Sequence, residues 1–206
     1  MTSDTHEQAG IAEVAVIAAP GEAAADYFSA VVHGDGTPIA VPFDALTIPE
    51  SAGALLAIGT SDFNGEVPAA LELALANDVP VLGVGWGMHA LNIALGGSAP
   101  VAVPEASSET TRMPVFISPG SKLSYTITGS GWVTVPFDNQ QGITPKELAP
   151  GLMASCYRED RFLATIEATG RKWSIGVQWN AHRVDELPKN FDNLLLALVE
   201  RAAGIQ

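Results

Sequence analysis

Cysteine is almost missing from this 206-residue sequence: Cys156 stands alone. One cysteine excludes an intrachain disulfide and any metal site built from several thiolates, and it fits a reducing compartment. Basic residues are scarce too, with 10 Lys and Arg against 23 Asp and Glu, for a formal net charge of −13. Nucleic acid and anionic membranes have to be met by a basic surface, so neither is expected as a partner, and the acidity reads as solubility. Long apolar runs are absent as well. The first apolar stretch, Ile11 to Ala19, is short and interrupted by Glu13, and no basic run precedes it. A signal peptide and a membrane span are therefore not expected, and a cytoplasmic protein is. No cofactor and no metal is expected.

What is present is a core-forming chain. Apolar residues make up 47% of it, which points to a packed globule. Its length suits one domain, read here as residues 11–206 after a mobile tail over 1–10. "IAEVAVIAAP", "TPIAVPF", "GALLAIG" and "PVLGVG" read as short buried strands. "GEAAADYFSAVVHGDG" and "EVPAALELALAND" read as helices between them. That alternation predicts an α/β fold with a doubly wound, mainly parallel sheet flanked by helices. The second half changes style. "MPVFISPGSKLSYTIT" and "GWVTVPF" read as sheet strands joined by turns, "LMASCYRED" with "RFLATIEAT" as a hairpin with a charged tip, and "KWSIGVQWN" as a further strand. An antiparallel region is thus added to the parallel sheet. Phe191, Leu194, Leu195, Leu198 and Val199 mark one face of a last helix, with Asn190 as its expected N-cap.

Ligands of an open parallel sheet bind beyond the carboxyl ends of its strands. Three segments fall there: "AIGTSD" at 57–62, "GVGWGM" at 83–88 and "QWNAHR" at 178–183. Strand, glycine-flanked residue, then helix is the geometry of a nucleophile elbow, whose helix-start amides can stabilise an oxyanion. The plainer alternative is a tight strand-to-helix turn. A dinucleotide loop fits less well: Gly83, Gly85 and Gly87 are spaced G-x-G-x-G, not G-x-G-x-x-G, and they follow the fourth strand rather than the first.

The stretch "PVLGVGWGMHALNIALGG" resembles the elbow of the class I glutamine amidotransferases, and most nearly that of the γ-glutamyl-γ-aminobutyrate hydrolases. That branch carries P-x-L-G-I-C-x-G-M-Q-x-L-N-V-A-L-G-G at the elbow. Further blocks occur in the family's order. "GALLAIGTSD" resembles the oxyanion strand, and "MPVFISPGSKLS", "VPFDNQQGI", "LAPGLMASCYREDRFLATIE" and "GVQWNAH" resemble later motifs. The resemblance covers roughly residues 53–183 and implies a flavodoxin-like fold of the amidotransferase type.

Its departures fall on the chemistry. The family's nucleophilic Cys matches Gly85, its catalytic His matches Asn180, and the Glu that orients that His matches His182. The expected consequence is a pseudoenzyme, with vestigial triad positions Gly85, Asn180 and His182. Thr60 stands where the family has a second oxyanion-strand Gly beside Gly59. His89 replaces the Gln of G-M-Q, and Asn139 and Gln140 replace a His-containing stretch. Together with Trp86 these are the candidate pocket residues. Trp86 either closes the old site or is an aromatic at the solvent edge. Cys156, in a strand, reads as a small core residue rather than a relocated nucleophile. His89 and His182 could line the pocket or be ordinary polar residues. Asp62 and Asp138 are the nearby carboxylates. The resemblance leaves two roles open: a binding or partner-regulating protein in amide or γ-glutamyl metabolism, or a hydrolase with a remodelled site using His89, His182 or Cys156. A partner synthase, a small amide or γ-glutamyl ligand and a homo-oligomer are the partners it leaves open.

Overall fold

Short apolar runs set the first half of the chain. The computed structural model describes residues 11–60, 62–104 and 110–204, so the tail expected over 1–10 lies outside the described residues. β1 (Glu13–Ala18) leads to α1 (Ala25–His33), β2 (Thr37–Ala40), β3 (Ala54–Gly59), α2 (Ala69–Ala76), β4 (Val81–Gly85) and α3 (Trp86–Ala94). Every residue of β3 and β4 is buried. Strands covered on both faces lose the apolar–polar alternation, and these pair in parallel in the order β2-β1-β3-β4.

The second half runs through β5 (Val101–Ala102), β6 (Thr111–Ile117), α4 (Lys122–Thr126), β7 (Gly131–Phe137), β8 (Gln141–Gly142), β9 (Leu152–Arg158), β10 (Leu163–Ala168), β11 (Ser174–Val177) and α5 (Asn193–Ala202). The main sheet continues past β4 as β11-β10-β9-β6-β7. β11 is parallel to β4, and each later neighbour is antiparallel to the one before it. The added antiparallel region is therefore an extension of the same sheet. β5 and β8 form a separate two-stranded ribbon. In the β11–β4 register Val177 faces Val84, which carries Gln178, Asn180 and His182 to the sheet edge where β4 ends.

Helices cover both faces. α1, α4 and α5 pack on one side around Val14, Leu56, Leu82 and Leu198, and α2 and α3 on the other around Ala15, Leu55, Leu71 and Leu91. α3 is fixed at its far end by Asn92. Its Nδ2 donates to Ser98 O and Glu147 O, both at 3.0 Å, and its Oδ1 accepts from Ala149 N at 2.9 Å.

Two local expectations are corrected. Residues 122–126, expected as part of a strand, form α4. Pro119 and Gly120 end β6, the Ser121 hydroxyl accepts from Ser124 N at 3.0 Å, and the buried Glu167 carboxylate accepts from Lys122 N and Leu123 N. Capping and a tertiary anion outweigh the β-branched residues that follow. Asn190 does not cap α5: it has φ +71° and its amide donates to Thr128 Oγ1 at 2.9 Å. Asp192 holds the cap position, so Phe191 is buried just ahead of the helix.

Candidate functional site

β4 turns into α3 at Gly85, whose φ of 56° and ψ of −110° no side chain adopts cheaply. Glycine accepts this conformation freely. Its neighbours let the turn be tight: a Cβ at Gly83 would overlap the Gly87 carbonyl, and one at Gly87 the Ala57 carbonyl. The same test at Gly85 is more informative. A Cβ there would overlap the carbonyl oxygen of Gly59, its register partner on β3, and would lie 3.8 Å from Asn139 Nδ2. The elbow is built, and the backbone of β3 occupies the space a side chain would take.

Trp86 is no solvent-edge aromatic. It is 1% exposed and packs against Phe43 at 5.7 Å and Phe63 at 6.0 Å between ring centroids. Its Cβ would stand 2.9 Å from a Cβ on Gly59, so Gly59 also has to be glycine-sized. Thr60, one residue on, is exposed. Its amide donates to Glu22 Oε1 at 3.2 Å and its hydroxyl to the same oxygen at 3.0 Å. Any use of that amide as an oxyanion donor has to displace a carboxylate supplied by the chain itself.

His89, on α3, is 3% exposed, with its Nε2 2.7 Å from Gln178 Nε2 and its ring edge-on to Phe63. Burial pushes its pKa down to about 4, so the imidazole is neutral at pH 7. Among the described residues, four buried polar atoms of this neighbourhood find no hydrogen-bond partner: Trp86 Nε1, His89 Nδ1, Asn139 Oδ1 and Gln178 Oε1. A buried polar atom left unpaired costs about 1–3 kcal/mol. Gln140 is exposed, and its carbonyl accepts from Val103 N.

The structure brings Gly59, Gly85, Trp86 and Asn139 into contact, and gives Asn180 and His182 different partners. Asn180 Nδ2 donates to Asp138 Oδ2 at 3.0 Å, and Asp138 also lies 3.8 Å from Arg183. The His182 ring sits edge-on to Tyr27 at 4.5 Å, with Nε2 3.8 Å from Asp26 Oδ2. Burial lowers the His182 pKa against the raising effect of Asp26. Tyr27 is buried as well, which pushes its phenol well above the ordinary range. Asp62 is exposed, and no hydrogen bond or ion pair joins it to Asp138 among the described residues.

Cys156 faces the core from β9, fully buried, and burial pushes its thiol up to about 12. β9 is three strands from β4, about 14 Å at the usual interstrand spacing. A protonated thiol at that distance is a core residue. Among the described residues no group of three or more His, Cys, Asp or Glu side chains could hold a metal ion, and no helix is long and apolar enough to cross a membrane.

Glu22, Tyr27 and Gln178 were not singled out from the sequence. Topology supplies the missing signal. β1 pairs with β3, so the loop after β1, which carries Glu22, has to lie beside the loop after β3, which carries Thr60.

Comparison with known proteins agrees with the architecture. The Peptidase C26 family profile matches residues 67–182. A Mycobacterium tuberculosis protein provisionally named a glutamine amidotransferase is 28% identical over 87% of this chain and 67% of its own length. A Thermoplasma acidophilum protein described as belonging to GMP synthase superposes with a TM-score of 0.75 at 14% identity, over 93% of this chain and 94% of that one. The glutaminase domain of Trypanosoma brucei CTPS with bound acivicin gives 0.71 at 14% identity, over 94% of each chain. PurLQS from Thermotoga maritima gives 0.69 at 11%, over 91% of this chain and 96% of that one. At these identities the solved structures establish the fold.

Proposed function

This chain belongs to the Peptidase C26 family, and from that premise we propose that it keeps the family's glutamine amidotransferase-like fold and hydrolyses nothing through a cysteine. One observation carries the reading: Gly85 holds the elbow position, and the Gly59 carbonyl stands where its side chain would begin. Thiol catalysis needs a nucleophile and a base within hydrogen-bond reach. Gly85 offers no nucleophile. Asn180 offers no base and is tied to Asp138, while His182 is packed on Tyr27.

The role we assign instead is binding or partner regulation in amide or γ-glutamyl metabolism. The unpaired polar atoms of Trp86, His89, Asn139 and Gln178 suit a small polar ligand that is held and not processed. A partner synthase is the matching expectation for a protein partner. It is suggested by neighbours described as PurLQS and as part of a GMP synthase, and it rests on fold analogy.

A second reading, a remodelled hydrolase, is favoured by one observation, the neutral His89 imidazole beside Gln178. Incubation with glutamine and with γ-glutamyl amides, read as released ammonia or amine, separates the two. The binding reading expects no release above background. Turnover abolished by His89→Ala supports the hydrolase, and turnover abolished by thiol alkylation overturns the loss of cysteine chemistry.

A further inference from the structure

A sheet has two edges, and this chain guards one of them. Among the described residues β2 ends the nine-stranded sheet on one side and β7 ends it on the other. β2 has four residues, contains Pro38 and follows the exposed Asp35. A short strand, a proline and a charge are what keep an edge from pairing with another chain. β7 has none of these over Gly131–Val135. It pairs with β6 along its whole length without a bulge, and none of its residues is charged.

Two prolines fix which atoms the open edge presents. In an antiparallel pair, facing residues alternate between those that exchange both backbone hydrogen bonds and those that exchange none. Pro114 faces Thr134, and Pro136 faces Arg112. Proline has no N–H to exchange, so both pairs are of the second kind. Thr134, and Trp132 two residues before it, therefore turn their N–H and C=O groups outward, away from β6. Both residues are exposed, Trp132 by 62%. Trp132 is also the outer member of an apolar row that crosses three strands. It faces Phe116, with ring centroids 5.4 Å apart, and Phe116 faces Tyr157 on β9. Val133, on the opposite face, packs toward the core.

Charge selects the occupant of this edge. From Met113 to Phe137 the sequence carries one charged side chain, Lys122, whose ammonium donates to the carbonyls of Ala168 and Arg171. The net −13 comes from the rest of the chain and drives two copies apart wherever acidic surfaces meet. At β7 a second copy brings no like charge, and a strongly charged partner finds no counter-charge. The edge also complements itself. With a two-fold axis at Val133, Trp132 of one copy faces Thr134 of the other, and the outward N–H and C=O groups of each satisfy those of its mate. Association stops at two, because pairing covers the open edge and β2 offers no second one.

We propose that this protein forms a two-fold dimer by antiparallel pairing of β7 with β7 of a second copy, which joins two sheets into one. The pairing does not depend on what the elbow binds. It rests on a few backbone groups and the exposed row ending at Trp132, so the interface is small and the dimer reversible.

The test is sedimentation velocity of the full chain between about 10 µM and about 1 mM, together with amide hydrogen exchange. The mass is expected to rise from one chain to two and no further. Exchange at the Trp132 and Thr134 amides is expected to slow about tenfold over the same range. Thr134→Pro removes an outward N–H and no bond to β6, since Thr134 exchanges none with Pro114. It is expected to stay monomeric throughout. Trp132→Lys, at an exposed position, brings two ammonium groups together across the axis and is also expected to stay monomeric, so a decisive variant remains if the proline change fails to fold. A wild-type chain that is still monomeric at about 1 mM overturns the proposal. So does a dimer that survives Trp132→Lys, or one that leaves exchange at Trp132 and Thr134 unchanged.

Discussion

Replacing Gly85 by cysteine places a thiol at the elbow and puts the reasoning at its greatest risk. Two costs follow from the structure. A side chain at φ 56° and ψ −110° is strained by about 1–3 kcal/mol. Its Cβ also overlaps the Gly59 carbonyl, and β3 is held there by pairing with both β1 and β4, so the end of the strand has to move. Overpacking of this kind costs about 1–3 kcal/mol. Together they remove about 2–6 kcal/mol from a domain stability of about 5–15 kcal/mol. For about 200 residues each kcal/mol lowers Tm by about 2–4 °C, so Gly85→Cys is expected to melt about 4–24 °C earlier by circular dichroism. The introduced thiol sits at the start of α3, where the helix dipole favours the thiolate, yet it meets no base, because Asn180 is bonded to Asp138. Ammonia release from glutamine is expected to stay at background. A variant that melts with the wild type and hydrolyses glutamine refutes both the steric closure and the assignment of Asn180 and His182 to the triad positions.

Two further outcomes can be measured on the native protein. Cys156, buried with its thiol pushed up to about 12, is expected to be unreactive toward a thiol reagent at pH 8 until denaturant is added, and then to titrate as one thiol per chain; ready reaction in the native state means that β9 opens. His89 has a folded pKa of about 4, below its unfolded value of 6.5, so the unfolded chain binds the extra proton between those values. Its contribution is intact above pH 6.5 and is lost as pH falls to about 4, by roughly 3 kcal/mol in all. Urea melts of wild type and His89→Gln across that window should show a steeper acid loss for the wild type, and parallel curves would mean that His89 is not buried in neutral form.

The sequence made the frame of this protein legible because periodicity and glycine placement are local signals. Unbroken apolar runs gave β3 and β4, and the Gly83, Gly85, Gly87 spacing gave the elbow, which the structure builds with carbonyls filling the places of absent side chains. Where a local signal and a tertiary partner disagreed, the partner prevailed: Glu167, 45 residues from Lys122, accepts from the first amides of α4 in a segment whose sequence reads as strand. The same limit governs the site. Residue identity at 85, 180 and 182 reveals which functional groups are present, and it is silent on what surrounds them. That Thr60 is already bonded to Glu22, that Trp86 is buried between Phe43 and Phe63, and that His182 packs on Tyr27 of α1 all depend on the strand order β2-β1-β3-β4-β11. A turn that merely lacked a side chain at position 85 would leave room for one. Here the Gly59 carbonyl fills that room and Glu22 bonds the Thr60 amide, so a change at Gly85 alone leaves the surrounding backbone set against a side chain there.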